Sequence, residues 1–184
     1  VISEADEATS DIVSLFSNGA VNAMSATPSF WRKILMSPAA SDLALKRITL
    51  GGEISDNSIL GALKLKYTEA GIIHIYASTE VGVGFAVKDG LAGFPLSYLD
   101  DKSGLDVKIK VVDKRLWLKT VSGASKILNG PLEIDSDGFI DTGDLVRIND
   151  DRVEFIGRDS GAINVGGSKV IPEEVEGVLN ASEY

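Results

Sequence analysis

The sequence contains no cysteine and only one histidine, His74. Without cysteine the chain cannot form a disulfide, a thiolate metal site or a cysteine nucleophile. A single histidine excludes a metal site built from several histidines and disfavours a hydrolase triad that needs a histidine base. The chemistry of this chain must therefore rest on carboxylates, hydroxyls, basic side chains and backbone groups.

Positive charge and long apolar runs are also scarce. The 18 Lys and Arg residues are outnumbered by 27 Asp and Glu, which gives a net charge of -9 and argues against non-specific binding to nucleic acid. No apolar run approaches the roughly 18 residues that a membrane span needs, and no signal-peptide pattern opens the sequence. We therefore expect a cytoplasmic protein that has no membrane span and no nucleic-acid partner.

Helices alternate with strands in the first half of the 184 residues. Residues 1–10 before them are acidic and aperiodic, and we expect them to be poorly ordered or to depend on a partner for their order. "TPSFWRKILM" predicts a helix that Thr27 caps and that has Pro28 in its first turn. The strand Arg47–Leu50, the helix in "SDNSILGALKLKY" and the strand in "GIIHIYASTE" form a βαβ pattern, which is typical of a parallel sheet. Ligands of such sheets bind at the carboxyl ends of the strands.

The pattern changes after about residue 92. "VKIKVVDKRLWLKTV" predicts two strands around Asp113 and Lys114, and "DLVRINDDRVEFIG" predicts a hairpin that turns at residues 149–151. We expect an antiparallel, barrel-like region here. "VIPEEVEGVL" then predicts a helix with Pro172 in its first turn and an apolar stripe of Val175, Val178 and Leu179.

Three clusters of small and polar residues follow predicted strands or turns: "LGGE" at 50–53, "YASTE" at 76–80, and "DTGDL" at 141–145 with "GR" at 157–158. Their residue types suit a nucleotide, because glycines let a base approach the backbone and an aromatic ring can cover its face. Thr79 can donate to a phosphate, Glu80 can bind Mg²⁺, and Asp144 can accept both ribose hydroxyls. Taken singly, "GGE" and "YASTE" also fit ordinary strand ends, and Asp144 also fits a turn cap.

The order and spacing of these motifs resemble the adenylate-forming superfamily, which contains acyl- and aryl-CoA synthetases, peptide-synthetase adenylation domains and luciferases. "YASTE" is similar to its Tyr-Gly-x-Thr-Glu, "GLAGFPL" to its Gly-x-x-Gly-x-Pro, and "DTGDL" to its Thr-Gly-Asp. "GRDSGAINVGGSKVIPEEVE" resembles its hinge and the start of its small C-terminal domain. The resemblance covers about residues 25–180.

The resemblance implies a role for each matching residue. Gly51, Gly52 and Tyr76 would sandwich adenine, Thr79 would contact phosphate as a catalytic residue, and Glu80 would be catalytic and hold Mg²⁺. Asp144 would bind the ribose with Arg158 beside it. The cofactor-binding set is completed by Glu53, by Ser78 and by Ala77, which stands where the family has glycine.

The resemblance also implies a fold and its division. It implies an α/β protein: part of a parallel αβα layered sheet, an antiparallel barrel-like β subdomain, and the start of a small α+β C-terminal domain. Residues 1–92 would be the second half of the αβα subdomain and residues 93–157 the β-barrel-like subdomain. Residues 158–184 would be the hinge, at Ser160, and the incomplete C-terminal domain.

Two parts of the family's pattern are not found in these residues: the phosphate loop with its lysine, and the adenylation lysine of the C-terminal domain. We therefore expect a fragment, and the start at Val1 predicts a processed, cut or engineered chain. The whole enzyme would use ATP, Mg²⁺ and CoA to activate a small-molecule carboxylate as an acyl-adenylate and then form its thioester, and the fragment alone would be inactive and could self-associate. A peptide-synthetase adenylation domain that delivers to a carrier protein, and a non-catalytic binding module, are the alternatives.

Overall fold

The computed structural model describes residues 9–18, 21–78, 82–120, 133–165 and 168–181. The density of contacts divides the chain into two compact units. The first comprises residues 1–75 and 86–92, and the second comprises residues 76–85 and 93–184.

A parallel sheet with flanking helices forms the first unit. The helices are α1 (Thr9–Asn18), α2 (Pro28–Met36), α3 (Asn57–Lys66) and a 3₁₀ turn (Pro38–Asp42), and the strands are β1 (Ala23–Ala26), β2 (Arg47–Gly51) and β3 (Gly71–Ser78). Strand β2 pairs in parallel with β1 on one side and with β3 on the other. Strand β4 is Gly82–Val87, and residues 76–78 of β3 and 82–85 of β4 belong to the second unit. The predicted parallel βαβ unit is confirmed.

Helix α2 begins and ends as its sequence predicts. Thr27 Oγ1 accepts a hydrogen bond from Phe30 N at 3.3 Å, and Pro28 occupies the first turn, where its missing N–H costs nothing. Trp31 and Ile34 are fully buried on the inner face, and Trp31 Nε1 donates to Thr49 O at 3.1 Å. The indole therefore joins the helix to β2 through both packing and a hydrogen bond.

Helix α3 has one of the two caps that the sequence offers. Asp56, not Ser55, is the N-cap, and its Oδ1 accepts from Ile59 N at 2.9 Å. Ile59, Leu60 and Leu63 are buried as predicted, against the same core as Trp31. Burying such a side chain contributes roughly 1.5–3 kcal/mol, so this face holds the helix on the sheet.

Two elements of the first unit were not expected from the sequence. Helix α1 begins at Thr9, so residues 9 and 10 of the start that was expected to be poorly ordered are helical, and residues 1–8 lie outside the described residues. Strand β1 is only four residues long, and its alternating half-burial lacks the apolar run that announces β2.

Antiparallel strands form most of the second unit. They are β5 (Phe94–Pro95), β6 (Val107–Val112), β7 (Arg115–Thr120), β8 (Ile140–Asn149) and β9 (Arg152–Arg158), and they form a sheet with the order β5-β9-β8-β7-β6. Inward residues alternate along the strands and are buried, as in Leu116 and Leu118 of β7. The predicted α/β fold class, a parallel sheet followed by an antiparallel barrel-like region, is confirmed.

Both predicted hairpin turns are present. Asp113 and Lys114 take positive φ angles of 50° and 64° between β6 and β7, and Asp150 takes 51° between β8 and β9. Such angles give the tight turns whose twist matches antiparallel strands, and aspartate adopts them more readily than bulky residues do.

Short elements follow β9. They are a 3₁₀ turn (Asp159–Gly161), the antiparallel pair β10 (Ile163–Val165) and β11 (Ser168–Val170), and helix α4 (Pro172–Ala181). The predicted stripe of α4 is exposed, with 47% of Val175, 71% of Val178 and 56% of Leu179 accessible. The three-part division at residues 92 and 157 stays a prediction. Among the described residues no helix is long and apolar enough to cross a membrane.

Gly93, in the "GLAGFPL" motif, takes a φ of +69° where the chain enters β5, and a Cβ there would lie 2.2 Å from Val153 O. We expect Gly93→Ala to destabilise the second unit by more than about 3 kcal/mol, because the left-handed backbone costs roughly 1–2 kcal/mol and the overlap with backbone adds to it. Gly104→Ala is the matched control, since Gly104 has a φ of +74° but open space around it. Urea unfolding measures both variants, and equal midpoints would show that the overlap is relieved without cost.

Candidate nucleotide site

The first motif, "LGGE", lies at the carboxyl end of β2 in the first unit. Gly51 is the last residue of the strand and pairs with Ile75, and Gly52 turns the chain with a φ of +82°, a conformation that favours glycine. Glu53 is exposed, and its Oε2 accepts a hydrogen bond from Ser29 N at 2.8 Å. The carboxylate thus lies at the N-terminus of α2, where the helix dipole favours negative charge.

The surroundings of Glu53 lower the pKa of its carboxyl group. Desolvation alone would raise this pKa, but hydrogen bonds from Ser29 and Thr27, with the charge of Arg32, outweigh desolvation. Glu53 therefore stays ionised to a lower pH than an ordinary glutamate, and its negative charge belongs to the anchoring of α2.

The second motif, "YASTE", begins at the end of β3. Tyr76 is half-buried, Ala77 is exposed and Ser78 is half-buried at the last position of the strand. Thr79 and Glu80, the predicted phosphate and Mg²⁺ residues, lie outside the described residues. Their roles stay predictions.

The ring of Tyr76 stacks on two phenylalanines within the second unit. Its centroid lies 5.2 Å from that of Phe85 and 5.2 Å from that of Phe155, with interplanar angles of 17° and 8°. Gly84 makes room for it, since a Cβ at that position would lie 2.9 Å from Tyr76 Cδ1. These contacts set the direction of the phenol hydroxyl, and the predicted stacking of Tyr76 on adenine stays a prediction.

The third motif, "DTGD", bulges out of β8. Arg115 of β7 pairs with Leu145 and Trp117 pairs with Asp141, so the single residue Leu116 faces the three residues 142–144. Thr142 Oγ1 donates to Leu116 O at 2.8 Å and accepts from Asp144 N at 3.2 Å. The threonine hydroxyl thereby replaces the missing ladder bonds and holds the bulge.

Gly143 makes the turn of the bulge, with a φ of +71°. Its N–H donates to Asp141 Oδ1 at 2.8 Å. This local closure directs the side chain of the next residue, Asp144, towards the partner strand, where Asp144 pairs in register with Arg158.

Asp144 is the centre of the site in the second unit. The hydroxyl of Tyr76 donates to its Oδ2, and Arg158 Nε lies 3.2 Å from its Oδ1. Arg158 Nη2 also donates to Thr142 O at 2.6 Å, which fixes the guanidinium beside the bulge. The structure therefore brings three of the predicted site residues together: Tyr76, Asp144 and Arg158.

The Tyr76 hydroxyl is held in its neutral form. Burial raises its pKa, and the negative charge and hydrogen bond of Asp144 raise it further. A neutral phenol is a donor towards the carboxylate throughout the ordinary pH range. A carboxylate group has about four lone-pair directions on its two oxygens, so a group of this type can accept from the two hydroxyls of a vicinal diol, and Arg158 balances its charge.

Several residues of this site were not identified from the sequence. The "TGD" motif gives Thr142 no separate role, and no motif contains Phe155 or Arg115. Arg115 Nη1 donates to Asp141 Oδ2 at 2.9 Å, and its Nη2 contacts Asp159 Oδ2. The alternation of polar and apolar residues in β7 and β9 indicates which way these side chains point, but it does not identify their partners, which are distant in the chain.

A cavity of about 370 Å³ lies in the first unit. Its wall includes Ser25, Ala26 and Phe30 of the "SATPSFW" segment, together with Ile12, Phe16, Val21, Ala23 and Met24.

No group of three acidic or histidine side chains that could hold a metal occurs in the part of the chain that the structure describes.

Comparison with known proteins supports the motif analysis. The nicotinic acid-CoA ligase olcI of Penicillium canescens is 28% identical over 140 residues, which are 70% of this chain and 26% of that protein. The anthranilate CoA ligase AuaEII in complex with anthranoyl-AMP has a TM-score of 0.75 at 19% identity, over 97% of this chain and 38% of the other. The ATP-bound MatB of Rhodopseudomonas palustris has a TM-score of 0.71 at 20% identity, over 95% and 38%.

The fold is that of the adenylate-forming CoA ligases. The resemblance inferred from the motifs is thus confirmed, although no protein-family profile matches the chain. The chain spans only a quarter to two fifths of the length of these relatives.

The lowered pKa of Glu53 makes part of the stability of the first unit dependent on pH. Ionised Glu53 stabilises the folded state, so its contribution is complete above its usual pKa of 4.5 and is lost as the pH falls through the lower folded value. We expect Glu53→Gln to flatten the fall in thermal stability below about pH 4.5. Glu69→Gln, an exposed site in the same unit, is the control, and identical pH profiles for the two variants would contradict the assignment.

Proposed function

We propose that this chain is part of an ATP-dependent carboxylate-activating ligase that forms an acyl-adenylate and then a thioester with CoA. The observation that carries the proposal is the bulge of β8, which presents Asp144 to Arg158 beside the hydroxyl of Tyr76. A carboxylate held between a cation and a neutral donor suits a sugar that offers two adjacent hydroxyls.

The relatives favour this reading over a general sugar site. One of the solved structures is described with anthranoyl-AMP, and another with ATP. Both contain an adenosine, whose ribose carries the vicinal diol that Asp144 would accept. The order of the motifs in this chain, and not the fold alone, carries the likeness to the site.

The residues of this chain would bind and orient the nucleotide. Asp144 and Arg158 would hold the ribose, Gly51, Gly52 and Tyr76 would bound the adenine, and Thr79 would donate to a phosphate. Glu53, Ala77 and Ser78 would complete the walls of this site. Glu80 would hold Mg²⁺, which when bound neutralises phosphate charge.

The proposed reaction is an in-line displacement at phosphorus. A carboxylate oxygen of the substrate bonds to the α-phosphorus of ATP as the bond to pyrophosphate breaks, and the thiol of CoA then displaces AMP from the acyl group. Little covalent chemistry falls to the protein, so its contribution is positioning and charge neutralisation. A cationic group outside this sequence would share that role.

The division of the chain and its surroundings are part of the proposal. Residues 1–92, 93–157 and 158–184 would be the αβα part, the barrel-like part, and the hinge with the start of the C-terminal domain. We propose a cytoplasmic location. The exposed stripe of α4 would allow the isolated chain to self-associate.

The acceptor of the acyl group is proposed to be CoA. Two of the relatives described above are CoA ligases by name, whereas none of the three is described with a carrier protein. A non-catalytic module that only binds a partner would never support adenylation by a longer protein that contains this sequence.

The chain by itself should not form an acyl-adenylate, because these residues include neither the family's phosphate loop nor its adenylation lysine. Exchange of labelled pyrophosphate into ATP, measured over a panel of aliphatic and aromatic carboxylates, tests this expectation. We expect rates at the level of a buffer blank. Exchange clearly above that level by the purified chain would show that these residues alone supply the catalytic groups.

Asp144 should be essential in a full-length protein that contains this sequence. Its carboxylate would make two charge-assisted hydrogen bonds to the ribose, each contributing roughly 1.5–3 kcal/mol. We therefore expect Asp144→Ala to lower kcat/KM for ATP by about a hundredfold or more, since each 1.4 kcal/mol is about tenfold. Steady-state kinetics with varied ATP concentration measures the effect.

The control for Asp144→Ala is Glu176→Ala. It removes the same charge from an exposed position of α4 and should change stability by no more than about 0.5 kcal/mol. Thermal unfolding of both variants shows whether they are folded. Equal kcat and KM for ATP in two folded variants would remove Asp144 from the site and overturn the proposed function.

A further inference from the structure

Arg115 of β7 forms ion pairs with two carboxylates that lie close in sequence to Asp144 and Arg158, the proposed ribose-binding residues. Its Nη1 donates to Asp141 Oδ2 at 2.9 Å, and its Nη2 contacts Asp159 Oδ2. Asp141 lies three residues before Asp144 on β8, and Asp159 directly follows Arg158 at the end of β9. One side chain therefore joins the two strands that carry the site.

The ion pairs occur where the backbone ladder is interrupted. The pairing of β7 with β8 shifts register between Arg115 and Trp117, and the pairing of β8 with β9 shifts between Leu145 and Val146. Asp144 and Arg158 are paired in the ladder, but the second shift separates their pair from the regular part of the β8–β9 pairing, which therefore holds them less firmly. The guanidinium of Arg115 supplies a second connection across the same interval.

Asp141 passes this connection on to the bulge. Its Oδ2 accepts from Arg115, while its Oδ1 accepts from Gly143 N at 2.8 Å, and its side chain is only 5% exposed. A buried carboxylate that has both oxygens hydrogen-bonded has little freedom to rotate. The position of Arg115 therefore restricts the position of the turn at Gly143 through Asp141.

We infer that Arg115 is a positioning residue for ribose recognition, which it would achieve by holding Asp144 and Arg158 at a fixed separation. This inference rests on the proposed function. Arg115 itself does not touch the nucleotide. Its planar fork reaches both carboxylates at once, which the single ammonium group of a lysine cannot do in the same geometry.

The test compares binding of AMP with binding of 2′-deoxy-AMP by the isolated chain, measured by calorimetry. The unsubstituted chain should prefer AMP by about tenfold, because the deoxy analogue lacks one hydrogen bond to Asp144. In Arg115→Lys this preference should fall below about threefold, because a loosened Asp144 no longer distinguishes the two sugars. Asp159→Asn, which removes one of the two carboxylates, should lower the preference in the same direction.

Arg147→Lys is the matched control. Arg147 lies on β8, three residues after Asp144, and pairs with Glu154 of β9 at 2.9 Å, but its side chain is 60% exposed and this ion pair involves neither Asp141 nor Asp159. This variant should keep the preference of the unsubstituted chain. If Arg115 had only a structural role, Arg115→Lys would lower the affinities for AMP and 2′-deoxy-AMP equally. The ratio of the two affinities would then stay unchanged, which would overturn the inference.

Exchange of backbone amides gives a second readout on the same proteins. Gly143 and Asp144 should lose protection in Arg115→Lys and keep it in Arg147→Lys, and unchanged protection in both would contradict the positioning role.

If the unsubstituted chain binds AMP but Arg115→Lys keeps the full preference, the inference fails and the proposed function stands. If the unsubstituted chain and a full-length protein both fail to bind AMP, the proposed function fails as well.

Discussion

The hydrogen bonds of Thr142 are the constraint on which the candidate site depends. An antiparallel ladder would leave Leu116 O without a partner where three residues of β8 face one residue of β7, and the threonine hydroxyl fills that gap. The same hydroxyl accepts from Asp144 N, so one side chain both bridges the bulge and holds the backbone of Asp144. A regular strand would have pointed alternate side chains to opposite faces and would have dispersed the Asp141–Asp144 cluster.

Local patterns predicted most of the elements correctly. The apolar faces of α2 and α3, their caps, the βαβ order and the two hairpin turns all follow from residue types within about ten positions of one another. Strand β1 did not follow, because a four-residue strand with alternating half-burial has almost no periodicity to detect, and helix α1 did not follow because it begins within the acidic, aperiodic start of the sequence. The cap of α3 could be narrowed only to Ser55 or Asp56, since both residue types accept from the same N–H groups.

The geometry of the candidate site could not be predicted from the sequence, although the motifs named three residues that the structure brings together. The motifs identified Tyr76, Asp144 and Arg158, yet the contact between Tyr76 and Asp144 joins residues that are 68 positions apart. Nothing local in "YASTE" distinguishes a tyrosine that stacks on Phe85 and Phe155 from one that faces solvent. Arg115 shows the same limit, because its importance arises from carboxylates on two other segments and not from its own strand.

The hydroxyl of Tyr76 has a consequence for how the carboxylate of Asp144 could be released. Because burial and the neighbouring charge keep the phenol from ionising, a rise in pH over the ordinary range cannot turn this donor off. Over that range, release of Asp144 from Tyr76 therefore requires a competing hydrogen-bond donor and not a change of pH. In the alkaline range the orientation of this carboxylate thus depends on which donors surround it and not on the ionisation of the phenol.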